Sequence, residues 1–342
     1  MIQESSVADY VIVGAGSSGA ALAGRLSSDP RTEVVLLEAG PPDKDKYIHI
    51  PAAFSKLFRS EVDWDYLTEP QPGLGGRSIY WPRRKTLGGS SSMNAMMWVR
   101  GFAADYDEWA ELADDSWSFG KVVEYFRRIE NVEGAATDDA GTTGPLTVSR
   151  QRSPRPLTGA YLEAARETGF PVERANTAQP EGFLQTMVTQ KRGARWSTAD
   201  AYLAPARKRA NLTVLTEAAA TRVLFEGSAA VGVEYVQGGA VRTVRARKEV
   251  VLAGGTINTP QLLMLSGIGD EQQLRARHRR ASPPPRGGPQ PVRPPGVDAR
   301  LPRRSGYPLR RREAPRARQL PGPATRDAHL ECRRGVRVHP QP

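Results

Sequence analysis

The chain has 342 residues, a single cysteine (Cys332) and a net charge of +11. That length admits a sizeable core or two domains, and a lone cysteine excludes an intramolecular disulfide framework and suits a reducing compartment. No apolar run approaches the roughly eighteen residues of a membrane span, and the N-terminal stretch is too short and glycine-rich for a signal segment, so a cytoplasmic protein is expected.

The first element is the apolar strand Asp9-Tyr10-Val11-Ile12-Val13, which runs directly into Gly14-Ala15-Gly16-Ser17-Ser18-Gly19. A small-residue helix, Ala20 to Leu26, follows. This is the G-x-G-x-x-G turn in its strand–turn–helix context. Gly14 permits the tight turn, Gly16 lets the backbone approach a pyrophosphate, and Gly19 brings helix and strand together. Ser17 and Ser18 stand at the helix N-terminus, which faces the anion. A second strand, Val34 to Leu37, ends in Glu38, where an acid can accept hydrogen bonds from an adenosine ribose. The turn and Glu38 alone suit FAD and NAD equally, and an NAD-dependent dehydrogenase remains an alternative at this point.

Next comes Arg84-Lys85-Thr86-Leu87-Gly88-Gly89-Ser90-Ser91-Ser92-Met93-Asn94-Ala95-Met96. Its centre offers backbone N–H groups and hydroxyls with almost no side-chain bulk, so a flat ring or phosphate can lie close. Residues 157–168 form an amphipathic stretch followed by Gly169, within a segment that reads as an α/β insert. Arg222–Glu226 and Val231–Tyr235 read as a hairpin turning at Gly227. The continuous apolar run Glu249–Ala253 reads as a buried parallel strand. Gly254-Gly255 then leads into a helix with Pro260 expected in its first turn and a C-terminal stop at Gly267.

Taken together, the N-terminal turn, the Arg84–Met96 segment and Gly255–Gly269 resemble the glucose–methanol–choline (GMC) oxidoreductases, flavoenzymes that oxidise alcohols. Trp64-Asp65-Tyr66, Gly193–Ala199 and Asn211–Val214 add to the similarity. It runs from about Asp9 to about Asp270. The resemblance implies an α/β fold: a Rossmann-like FAD-binding domain over 1–150 and 206–270, with part of a substrate-binding insert over 151–205. It implies FAD as cofactor and a small alcohol, primary or choline-like, as substrate, oxidised by hydride transfer to the flavin. It places Leu87, Gly88, Gly89, Ser90 and Asn94 against the flavin, Val223 at the adenine, and Ala253 and Gly254 near the cofactor. Arg84 departs from the family pattern, which prefers a small residue there. Neither oxygen nor quinone is selected as electron acceptor.

Alcohol oxidation needs a base near neutral pKa, most often histidine, and the resemblance puts the family's histidine pair in the C-terminal third. Here the histidines are His49, His278, His329 and His339. No catalytic residue is assigned, and the chain is expected to be catalytically incomplete. The last three histidines fall in a segment of different composition. From Glu271 onward there are 18 arginines, no lysine and five acids, which leaves residues 1–270 with a net charge of −2. That segment holds 14 of the 28 prolines and one of the 24 aromatic residues, Tyr307. Such a chain cannot bury enough surface to order itself, so 271–342 is expected to be disordered. Its arginine without lysine matches GC-rich codons read in a shifted frame. It lacks the interleaved aromatics that base stacking uses, so no specific nucleic-acid partner is expected.

Overall fold

The structure, a computed structural model, describes residues 3–134, 140–271 and 274. The arginine- and proline-rich segment expected to be disordered therefore lies almost wholly outside the described residues, as do His278, His329 and His339.

The two apolar runs at the N-terminus become neighbouring parallel strands, β1 (Gln3–Val13) and β2 (Val34–Leu37), paired from Tyr10 with Val34 to Val13 with Leu37. Between them α1 (Ser17–Leu26) crosses over. Later strands β3 (Leu212–Leu215), β4 (Ala219–Glu226), β5 (Ala229–Gln237) and β6 (Ala240–Leu252) complete a six-stranded sheet of order β3-β2-β1-β6-β5-β4. The β3–β2, β2–β1 and β1–β6 pairs are parallel, whereas β4, β5 and β6 form an antiparallel meander. The hairpin read from sequence is the first part of that meander, with Gly227 at φ 60° in its turn.

Strand alternation divides the core into two faces. Val11, Val13, Val35 and Leu37 point to one side, where they join Val233, Val244 and Leu262 of α5 (Gly255–Leu265). Ile12, Val34 and Leu36 point to the other, against Ala20 and Ala23 of α1 and Leu203. Helices on opposite faces of a largely parallel sheet explain why these strands read as unbroken apolar runs. Residues 199–206, at the end of the expected insert, pack here on α1.

Two elements differ from the sequence reading. Strands β1 and β6 both extend further toward their N-terminal ends, Gln3 facing Arg242, because each supplies the other with ladder hydrogen bonds that compensate for polar side chains. Helix α5 begins at Gly255, so Pro260 sits inside it rather than in its first turn. Without an N–H, Pro260 leaves the Thr256 carbonyl short of its usual donor. The helix does end as expected, with Gly267 at φ 84° and the Ile268 N–H on the Leu263 carbonyl.

Beside the sheet lie short two-stranded ribbons, several short helical segments and the longer helices α2 (Ala103–Leu112), α3 (Phe119–Ile129) and α4 (Pro156–Glu167). The amphipathic stretch read from sequence is α4, closed by Gly169 at φ 83°. A fully buried Arg100–Glu130 ion pair, with the Trp98 indole N–H also donating to Glu130 Oε1 at 2.7 Å, anchors this region.

Candidate functional site

A cleft of about 570 Å³ opens at the C-terminal ends of β1, β2 and β6. This is where strand order reverses about β1, the position at which open α/β sheets bind ligands. Gly14 takes φ 97°, and a Cβ there would lie 2.7 Å from the Ala253 carbonyl oxygen. At Gly19 a Cβ would stand 1.9 Å from the Gly14 carbonyl oxygen, so helix and turn touch backbone to backbone. Gly16 differs from both. A Cβ on Gly16 would meet only the Gly89 Cα, at 4.0 Å, and would otherwise project into open space beside the cleft it lines. The protein's own packing leaves that space free.

Helix α1 starts at this cleft with Gly16 as N-cap and no side-chain cap. Its first N–H groups, at Ser17 and Ser18, therefore remain available to an anion, and both serines line the cleft. Glu38 stands across from them, 6% exposed. Its Oε2 accepts from the Ala15 N–H and its Oε1 from the Gly40 N–H, each at 2.9 Å. It therefore both braces the turn and presents its remaining lone pairs to the cleft.

The 84–96 segment packs onto the turn. The Gly88 N–H donates to the Ala15 carbonyl at 2.8 Å, and a Cβ on Gly89 would lie 2.6 Å from the Gly16 Cα. Gly89 and Ser90 line the cleft, while Leu87 and Gly88 are buried behind them. Asn94 is exposed outside the cleft wall, its Oδ1 accepting from the Met96 N–H and from Arg195 Nη1 at 2.9 Å. On the far wall are Ala253 and Gly254, with Thr256 to Thr259 of α5. Val223 does not line this cleft. Its N–H is taken by Ser266 Oγ at 2.8 Å, and Ala218 to Ala220, at the start of the same chain segment, line the cleft instead.

The sequence profile of the GMC oxidoreductases matches residues 8–301. The chain belongs to the GMC oxidoreductase family. It is 66% identical over 270 residues to an uncharacterised GMC-type oxidoreductase of Mycobacterium tuberculosis, covering 78% of this chain and 51% of that protein. It is 48% identical over 275 residues to the mitochondrial choline dehydrogenase of Homo sapiens, covering 78% and 46%. Among solved structures it is similar to the formate oxidase of Aspergillus oryzae, studied for its FAD modification: TM-score 0.74, 30% identity, 81% of this chain and 50% of that one. The chain thus spans about half the length of the curated relatives it matches. The profile match runs past Asp270, where the motif resemblance ends.

Several residues in and behind this cleft are not among the site residues expected from sequence. Arg195 is 1% exposed, and its Nε donates to the Ile48 carbonyl at 2.7 Å while Nη1 donates to the Ser91 carbonyl at 3.0 Å. It pins the 84–96 segment from behind. Arg84, the departure from the family pattern, lines the cleft at 4% exposure, with Nε and Nη2 lacking any partner among the described residues. Burial pulls both guanidiniums down to about 10, so both stay charged at neutral pH. Burial pushes the Glu38 carboxyl above its ordinary value, against the pull of its backbone donors and Lys85. Trp64 and Tyr66 also line the cleft. His49, the histidine among the described residues, shares a 2.9 Å hydrogen bond with the Asp43 carbonyl and does not line the cleft. No cluster of potential metal ligands occurs among the described residues, and no helix there is long and apolar enough to cross a membrane.

Proposed function

We propose that this chain forms the FAD-holding half of a GMC oxidoreductase acting on the CH–OH group of a small primary or choline-like alcohol. The carrying observation is the Gly16–Gly89 contact. Two glycines from separate motifs meet where a side chain on Gly16 would enter empty cleft, which suits a site shaped for a dinucleotide. The α1 N-terminus, through Ser17 and Ser18, would hold the pyrophosphate. Glu38 would accept from the adenosine ribose, Ala218 to Ala220 would border the adenine, and Gly89, Ser90 and the Ala253–Gly254 turn would border the remaining length. Asn94 would act on the flavin side from the exposed face where it stands. The bound flavin supplies the ring that accepts hydride from an alcohol carbon. We keep the division read from sequence, residues 1–150 and 206–270 serving the cofactor and 151–205 the substrate side.

The choline-like substrate is supported by the human choline dehydrogenase relative. No histidine among the described residues lines the cleft, since His49 lies off it. A positioned base contributes about 10²–10⁴-fold, so this chain alone is expected to oxidise choline no faster than free FAD does. Acid extraction of the purified chain tests the cofactor. FAD in the extract supports the reading, and a nicotinamide dinucleotide in its place would contradict it.

A further inference from the structure

One wall of the cleft is built from groups the dinucleotide turn does not use. The Trp64 and Tyr66 rings both line it, nearly parallel at an interplanar angle of 7° with centroids 5.8 Å apart. Asp65 between them holds φ 48°, the left-handed region that aspartate enters more readily than most residues with a side chain, and so turns the backbone sharply between the two rings. The Tyr66 hydroxyl donates to Asn258 Oδ1, in the first turn of α5. One hydrogen bond thus joins two cleft walls that lie far apart in the chain. Burial raises the Tyr66 phenol above its ordinary value, which keeps the hydroxyl a donor through neutral pH.

Lys85 shows which end of the cleft this is. Its ammonium lies 4.9 Å from the Trp64 ring centroid, and its backbone carbonyl packs against Gly40, whose N–H donates to Glu38. The ring pair therefore stands at the Glu38 end. The same cleft has a wall of methyl groups, Ala218 to Ala220. Aromatic faces together with small apolar side chains suit a flat heteroaromatic base, which stacks without needing a specific edge.

Building on the FAD reading above, we infer that Trp64 and Tyr66, tied across the cleft by Asn258, form the platform on which the adenine end of the dinucleotide stacks. These are positioning residues for the cofactor. They hold its non-reacting end, and their loss acts on affinity.

The test uses the full chain stripped of cofactor, with FAD and ADP as probes and tryptophan or flavin fluorescence as readout. Stacking of one base on a side chain is worth enough that Trp64→Ala and Tyr66→Ala should each weaken FAD and ADP together by about tenfold. Trp64→Phe should restore most of the loss, because it restores a ring face. Tyr66→Phe keeps the ring and loses the Asn258 bond, so it should cost about threefold. Thermal unfolding of the cofactor-free variants checks that each is folded. Wild-type affinity for ADP in both alanine variants would overturn the platform. So would a loss that Trp64→Phe fails to restore. A wild-type chain that binds neither FAD nor ADP would remove the dinucleotide reading itself, and the platform with it.

Discussion

The six-stranded sheet and the region around α4 solve the same problem to different degrees. In β1 and β2 every core position is covered: Val11, Ile12, Leu36 and Leu37 are at most 1% exposed. On α4 and just beyond it, Leu157, Tyr161 and Phe170 are 77%, 62% and 56% exposed, and Ala165 is the one buried residue of the helix. The sheet is closed by helices that lie within the described residues, whereas the apolar side of α4 is not. Cofactor-site geometry therefore rests on the part of the chain that buries its own core.

Substitutions on the two sides should differ accordingly. Leu36→Ala removes a side chain buried on both flanks by α1 and neighbouring strands, and should cost about 2–5 kcal/mol in denaturant unfolding. A cost under about 1 kcal/mol would mean that the sheet is less tightly packed than its burial implies. Arg84→Met should act in the opposite direction within the same region. It removes a buried cation with unpartnered N–H groups, and melting of the cofactor-free chain should rise by an equivalent of about 1–3 kcal/mol. A destabilised variant would show that Arg84 has an acceptor not apparent among the described residues.

Glu38 adds a pH dependence. Because burial raises its pKa, the folded chain holds this proton to higher pH than the unfolded chain does. The folded state then binds more protons in that window, so stability falls as pH rises from the ordinary glutamate value through the raised one. Glu38→Gln should flatten that segment of the stability–pH curve, and a curve of unchanged slope would assign the dependence elsewhere. The smallest effect is expected on α4, where Leu157→Ala should stay within about 0.5 kcal/mol of wild type. A large loss there would show that something covers the helix after all.

The parts legible in the sequence are those written in local order. The Gly14–Gly19 turn, the two apolar strands, the hairpin at Gly227 and the helix stop at Gly267 each depend on residues a few positions apart, and each is found where its pattern places it. The start of α5 is not legible, because proline is tolerated inside a helix when its neighbours compensate, which no local pattern announces. Long-range partnerships were not legible at all. Nothing near Arg195 in sequence announces that it reaches Ile48 and Ser91, and nothing near Tyr66 announces Asn258. Arg84 stands out from the family pattern in sequence, yet its burial depends on how Ser60 and the cleft wall fold around it. Val223 lies off the cleft for a similar reason, since Ser266, just after α5, takes its N–H.

The central claim is that the space beside Gly16 belongs to a dinucleotide. Gly16→Val tests it most directly, because the backbone at Gly16 has φ −70°, compatible with a side chain, and a Cβ there would touch little protein. The variant and the wild type should be stripped of cofactor, melted, and titrated with FAD under flavin fluorescence. Because Gly16 also caps α1 and valine is a poorer N-cap, the account predicts cofactor-free melting within about 2 kcal/mol of wild type, with the variant still folded, and no measurable FAD binding. FAD binding at wild-type strength in the folded variant would contradict it.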